Sequence, residues 1–184
     1  MNKTQRRMLQ TMDNALKWWR LPAIGREKSR VIRRLIERHR PRRAIELGSL
    51  FGYSAILIGA SLPPGGRLTC VEANEFLAGV VKRNADAAGL GKRVNVIAGD
   101  ALRVIPLLRS RFDFALIDAA KEDYLEYLRS LEPKLVRGAV VVADNTGMYR
   151  REVKPYLDYV RESGRYQTRE YEFESDCMEA SILR

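Results

Sequence analysis

The chain has 184 residues, 46% hydrophobic and 30% charged, which suits one globular domain over 1–184 and excludes a disordered chain. No apolar run reaches the ~20 residues of a membrane span, and the opening MNKTQRRMLQ lacks the apolar stretch of a secretory leader, so a cytoplasmic protein with no membrane partner is expected. Two cysteines, Cys70 and Cys177, exclude a disulfide framework, and the single histidine, His39, argues against His-based zinc chemistry and a Ser-His-Asp triad.

The formal net charge of +10 is placed unevenly. Residues 1–43 hold 14 Lys/Arg against 3 Asp/Glu, whereas residues 44–184 hold 19 against 20. The basicity therefore belongs to the N-terminal segment. It reads either as a solvated helical face or as a contact surface for nucleic acid or another polyanion.

In chain order, two helical patterns come first. In 5–19, Met8, Met12 and Leu16 share a face, with Leu9 and Trp19 beside them. After the loop RLPAIG, residues 27–39 set Val31, Ile32, Leu35 and Ile36 opposite Arg30, Arg33, Arg34 and Arg38, and Pro41 stops the helix. Trp18 and Trp19 fit packing in a core or an interface. Strand-like runs then alternate with helical ones: strands at 44–48, 67–73, 93–100, 112–119 and 138–145, helices at 53–62, 75–90, 101–110, 122–135 and about 150–163. That alternation predicts an α/β fold with a parallel sheet covered on both faces. Two final strands, 166–173 and 177–184, are joined by a link too short for a crossover and should form an antiparallel hairpin.

In such sheets ligands sit at the carboxyl ends of the strands. The first strand ends in Glu46-Leu47-Gly48-Ser49-Leu50-Phe51-Gly52-Tyr53-Ser54, the second in Glu72, the third in Gly99-Asp100-Ala101, the fourth in Asp118-Ala119-Ala120-Lys121 and the fifth in Asp144-Asn145. The GxxxG spacing of Gly48 and Gly52 is neither the GxGxxG fingerprint nor a phosphate loop, since no Lys follows it. The glycines permit close backbone approach to a ligand, or simply a tight strand–helix turn. With Glu72 placed to accept from ribose hydroxyls, the loop favours an adenosine-containing ligand. Asp100 can accept from an adenine amino group or cap a helix. Asp118, Asp144 and Asn145 offer three hard oxygens without His or Cys, a set that suits Mg²⁺ or serves equally as capping and turn residues.

The pieces IELGSLFGYSAI, CVEAN, AGDA, LIDAAKEDY and VVADN stand in order over Ala44–Asn145 and resemble class I S-adenosylmethionine (SAM) methyltransferases, specifically the cation-dependent catechol and caffeoyl-CoA O-methyltransferase-like family. The resemblance implies a Rossmann-like, seven-stranded, mostly parallel sheet with a C-terminal antiparallel hairpin and helices on both faces. It implies that Glu46, Gly48, Gly52, Tyr53 and Ser54 line the methionine end of SAM. Glu72 would hold the ribose, Asp100 and Ala101 would border the adenine, and Asp118 would touch both donor and metal. Asp118, Asp144 and Asn145 would ligate Mg²⁺ and Lys121 would be the general base, its pKa lowered beside the cation. Lys121, Asn145 and Glu170 would meet the substrate. Segment 1–40 would be a lid and dimer surface, giving a homodimer. Catechol-methylating members carry His-Trp where this chain has Ala119-Ala120, which implies a more open pocket. The acceptor is expected to be a catechol-type or other vicinal-oxygen small molecule. The alternatives are a hydroxylated nucleoside within RNA, drawn by the basic N-terminal segment, and a SAM-binding protein without catalysis.

Overall fold

The structure is a computed structural model describing residues 1–19 and 24–184, with the side chains of Leu16, Lys17 and Trp19 outside the description. The expected roles of Leu16 and Trp19, and most of the loop after them, therefore lie outside the described residues.

The N-terminal helices are α1 (Lys3–Trp19) and α2 (Gly25–His39). Helix α2 buries Lys28, Ser29, Ile32, Leu35 and Ile36 and turns its arginines outward. It ends at His39, two residues before Pro41, and Arg40 between them takes a left-handed conformation and donates its N–H to the Ile36 carbonyl. Leu9 of α1 is buried, Met8 and Met12 are partly buried, and Trp18 is 81% exposed.

The sheet comprises β1 (Arg43–Leu47), β2 (Arg67–Glu72), β3 (Val94–Ala98), β4 (Phe112–Ile117), β5 (Leu135–Ala143), β6 (Tyr166–Phe173) and β7 (Asp176–Leu183). Its order is β3-β2-β1-β4-β5-β7-β6, with β1 to β5 parallel and β7 antiparallel to both β5 and β6. Strand alternation divides the core. Ala44, Phe114, Leu116, Val140 and Val142 face α1, α2, α3 (Tyr53–Ser61) and α4 (Glu75–Ala87). Ile45, Leu47, Ala115, Ile117, Val141 and Ala143 face α5 (Ala101–Leu107), α6 (Tyr124–Leu131) and α7 (Lys154–Glu162). Helix α3, YSAILIGAS, is apolar on all sides because it is enclosed between the sheet and the N-terminal helices.

Three expectations change. The run 122–135 is not one helix: a 3-10 turn (Lys121–Asp123) precedes α6 and a second (Glu132–Lys134) follows it, where Pro133 has no N–H to continue the ladder. Strand β5 begins at Leu135 and not at 138, because Leu135 pairs with Phe112 and a register shift, with Gly138 at φ +82°, precedes the pairing of Val140 with Phe114. Strand β7 begins at Asp176, which leaves only Glu174 and Ser175 between the hairpin strands. Among the described residues no helix is long and apolar enough to cross a membrane.

Candidate active site

The strand order reverses between β1 and β4, and a crevice opens there at the carboxyl ends of the strands. It holds a cavity of 970 Å³. One side is built by Gly48, Ser49, Tyr53, Ser54, Glu72, Asp100 and Ala101 from the ends of β1, β2 and β3; the other by Asp118, Lys121, Asp144 and Asn145 from the ends of β4 and β5. The turn Glu174–Ser175 and residues Met148 and Tyr149 close the rim.

On the first side Glu72 organises the loop. Its Oε2 accepts from the backbone N–H of Ser49 (2.9 Å) and Leu50 (3.0 Å), and its Oε1 from Asn74 N (3.1 Å). Gly48 has φ +82°, and a Cβ there would stand 2.2 Å from the Asp118 carbonyl oxygen. The close passage of the β1 and β4 ends therefore requires glycine at this point of the cavity wall. Gly52, at φ +85°, precedes α3 and packs against Val81, away from the cavity wall. Asp100 caps α5, its Oδ1 accepting from Leu102 N at 2.9 Å, and its side chain is half exposed at the rim. Tyr53 accepts a hydrogen bond from Ser29 Oγ (3.3 Å), tying α2 to the same wall.

Glu46 also departs from its expected place. Alternation points it away from Ile45 and Leu47, and it lies fully buried one layer behind the wall, with Oε2 accepting from Ser49 Oγ at 2.6 Å. Oε1 has no hydrogen-bond partner among the described residues. Burial pushes its carboxyl up to about 7, moderated by the hydroxyls of Ser49 and Ser54 and the thiol of Cys70. A carboxyl raised on folding keeps its full contribution below its unfolded pKa and loses it as pH rises through the folded one. The wild-type chain, free of ligands, is therefore expected to lose roughly 3 kcal/mol relative to Glu46→Gln between about pH 4.5 and 7, with a constant difference above that window. Urea unfolding of both chains at pH 4.5, 6 and 8 measures this; a pH-independent difference contradicts it.

The second side is a charge network. Lys121 Nζ donates to Asp118 Oδ1 (2.7 Å) and to Tyr124 OH (2.9 Å), and Tyr124 OH donates to the Asp144 carbonyl (3.1 Å). Burial, together with Asp118 and Asp144, holds the Tyr124 phenol well above its usual pKa, so it stays a neutral donor. The sequence reading did not single out Lys28 or Asp176. Lys28, on α2, places Nζ 2.6 Å from Asp144 Oδ1 and 2.6 Å from Asp176 Oδ2. Asp176 Oδ2 also accepts from Asn145 Nδ2 (2.7 Å), and its Oδ1 accepts from the N–H of Gly147, Met148 and Cys177. Burial opposes the Lys28 charge, yet the two carboxylates hold its pKa above the usual value. Burial and the neighbouring Asp118 raise Asp144, against the pull of Lys28. Lys28 was legible in principle: it stands four residues before Ile32, on the buried stripe, where a lone cation needs a partner. Asp176 carries no comparable signal, because its role depends on the hairpin geometry.

The donor chemistry fits a hard cation. Asn145 adopts φ +58° and spends Nδ2 on Asp176, which leaves its amide oxygen as an acceptor, and Asp118 Oδ2 makes no protein hydrogen bond among the described residues. No group of three or more His, Cys, Asp or Glu that could hold a metal ion is found among the described residues.

Glu170 is not brought to the cavity. Tyr171 and Phe173 face the α1–α4 core, so alternation sends Glu170 to the other face. There it sits opposite Glu179 and accepts from Arg150 Nη2 (2.7 Å) and Arg161 Nη2 (2.8 Å). Arg161 also clamps the fully buried Glu179. Two facing carboxylates need that guanidinium.

A family model described as O-methyltransferase matches residues 4–167. The chain belongs to the O-methyltransferase family. A protein named transmembrane O-methyltransferase from Propithecus coquereli is 37% identical over 162 residues, covering 82% of this chain and 57% of that protein. Catechol O-methyltransferase from Bos taurus is 31% identical over 151 residues, covering 78% and 55%. The chain thus spans just over half the length of these curated relatives. Among solved structures, the O-methyltransferase from Bacillus cereus in complex with SAH superposes with a TM-score of 0.84 at 23% identity over 100% of this chain and 92% of that one. A cofactor-bound protein, Rv0187 from MTB, gives 0.87 at 24%, over 100% and 91%. Both share the fold of this chain over its whole length.

Proposed function

We propose that this chain moves a methyl group from S-adenosylmethionine to a hydroxyl oxygen of an acceptor bearing a second adjacent oxygen, with Mg²⁺ or a similar divalent cation bound at Asp118, Asp144 and Asn145. The observation that carries the reading is the division of one cavity: an adenosine-type wall at β1–β3 and, across the strand-order reversal, a wall of hard oxygens with a lysine among them. A protein that only binds a nucleoside has no use for that second wall.

The chain's own residues supply position and proton handling. Glu72 holds the loop backbone against the cavity and retains acceptor capacity for ribose hydroxyls. Ser49 and Ser54 face the cavity with Glu46 behind them, so a cationic amine at that wall meets hydroxyls backed by a buried carboxyl. Lys121 receives the acceptor's hydroxyl proton, held in place by Asp118 and Tyr124. A cation held by Asp118, Asp144 and Asn145 would supply Lewis acidity that makes the acceptor's hydroxyl more acidic. Ala119 and Ala120 leave the acceptor side open, which supports a wider acceptor than a single phenol ring.

Incubation with methyl-labelled SAM and a catechol-type acceptor tests the reading. Transfer is expected to fall to background in EDTA and to return with Mg²⁺. Full rate in chelator removes the cation from the proposal. Transfer to no hydroxyl acceptor, in the presence of Mg²⁺, removes the reaction.

A further inference from the structure

We infer that the end of the sheet opposite the cavity is a docking face for an anionic lipid bilayer, on which the chain rests with its cavity turned to water. The inference stands on the placement of charge and is independent of the methyl-transfer reading.

The parallel strands β1 to β5 all begin at this end, and their first residues and the links before them are rich in arginine. Arg42 and Arg43 lead into β1, Arg67 opens β2, Arg109 and Arg111 precede β4, and Arg137 lies near the start of β5. All six are exposed, and their side chains have no hydrogen bond or ion pair among the described residues. Lys92, exposed before β3, carries the row one strand further. At a strand spacing of ~4.8 Å these five starts span roughly 20 Å. Arg43 and Arg67 are register partners, so two cations stand side by side, which costs stability unless an outside anion compensates them.

Other charged groups at this end are already engaged. Arg93 donates to the carbonyls of Leu62 (2.9 Å) and Gly66 (3.1 Å), and Lys134 Nζ to those of Pro106 (3.1 Å) and Leu108 (2.7 Å). Asp113 accepts from the backbone N–H of Arg42 and Arg43, both at 2.8 Å, and Glu132 is held by Arg165 at 3.0 Å. The carboxyl ends of the strands carry the opposite sign, with Glu72, Asp100, Asp118, Asp144 and Asp176 at the cavity. The near balance of 19 Lys/Arg against 20 Asp/Glu over residues 44–184 therefore hides a separation along the strand direction. A dipole of that sense presents the arginines to a negative surface and points the cavity away from it.

Leu107 makes lipid the favoured partner. It is the last residue of α5, 80% exposed, and the carbonyls on either side of it are the two that Lys134 holds. Arg109 and Arg111 follow it directly in the link to β4. An aliphatic side chain presented beside cations enters the headgroup boundary while the guanidinium forks meet lipid phosphates. Single-stranded nucleic acid calls for aromatic stacking, yet the exposed aromatics Trp18, Phe76 and Tyr149 lie toward the cavity end of the molecule. A second copy of the same face would set arginine against arginine. Docking of this kind needs no membrane-crossing helix.

The test is co-sedimentation of the full chain with vesicles of phosphatidylcholine alone or with about 30% phosphatidylserine, at about 0.1 M salt. Binding is expected to be roughly tenfold or more tighter on the anionic vesicles. Arg42→Gln/Arg43→Gln/Arg67→Gln should weaken it by about tenfold or more, and so should Arg109→Gln/Arg111→Gln on a separate link, with melting temperature and S-adenosylhomocysteine affinity unchanged in both. Leu107→Ser should cost about two- to threefold. Arg30→Gln/Arg33→Gln/Arg34→Gln removes as much charge from α2 and should change binding by less than about threefold. An equal loss in that control would assign the effect to net charge and overturn the docking face. Equal binding to both vesicle types, or to neither, overturns it as well. A fluorescein-labelled RNA oligonucleotide, bound by wild type and lost in the first variant while anionic vesicles go unbound, would make nucleic acid the partner and overturn the lipid assignment.

Discussion

Lys121→Ala is expected to lower the rate of methyl transfer by about 10²–10⁴-fold, while S-adenosylhomocysteine affinity stays within about twofold. The size follows from the proposed work of this side chain, which is to take the acceptor's proton as the oxygen attacks. The selectivity follows from its position. Lys121 opens the short turn after β4 and contacts Asp118 and Tyr124 on the β4–β5 side, whereas the proposed nucleoside wall lies at β1–β3. A second substitution separates proton transfer from charge. Lys121→Arg keeps a cation beside Asp118 but cannot release a proton near neutral pH. Arginine should therefore fail as badly as alanine. Recovery of the rate with arginine would assign Lys121 to holding Asp118 in place, and an unchanged rate with alanine would remove it from the reaction. Isothermal titration with S-adenosylhomocysteine and single-turnover methyl transfer read the two quantities separately.

The parts of this site that could be read from sequence are those fixed by one strand end at a time. Parallel strands buried on both faces are apolar along their length, so the polar residue that ends each run stands out, as with Glu72, Asp118 and Asp144. The pairing of β4 with β5 then brings Asp118 and Asp144 to one edge. What escaped depends on which face a side chain takes or on distant contacts. Glu46 and Glu170 were assigned by motif position, yet the two-residue alternation of β1 and β6 carries both off the cavity wall. Gly48 does line the cavity, and what the motif did not reveal is that the backbone of Asp118 fills the space its Cβ would need. Lys28 and Asp176 stand 148 residues apart in the chain and meet only when α2 docks over the end of β5 and the hairpin closes. No local pattern encodes such a pairing.

That pairing underlies the other large effect. Lys28→Met is expected to destabilise the ligand-free chain by about 3–5 kcal/mol in urea unfolding, the usual consequence of removing one partner from a buried ion pair. Lys28 is nearly buried, and its ammonium lies against two carboxylates that are themselves almost fully enclosed. Methionine keeps the aliphatic stem and the packing of α2, so the loss reports charge and not a cavity. Asp144 and Asp176 would then face each other beside Asp118 with Lys121 as the nearest remaining cation. A divalent ion at Asp118, Asp144 and Asn145 would supply the missing charge. Millimolar Mg²⁺ should therefore raise the melting temperature of Lys28→Met by more than it raises that of wild type, since a ligand stabilises in proportion to its affinity for the folded state. A stability loss below about 1 kcal/mol would mean that water, not Lys28, compensates these carboxylates. An equal Mg²⁺ effect on both chains would place the cation away from Asp144, and with it the acceptor oxygens that the cation is proposed to hold.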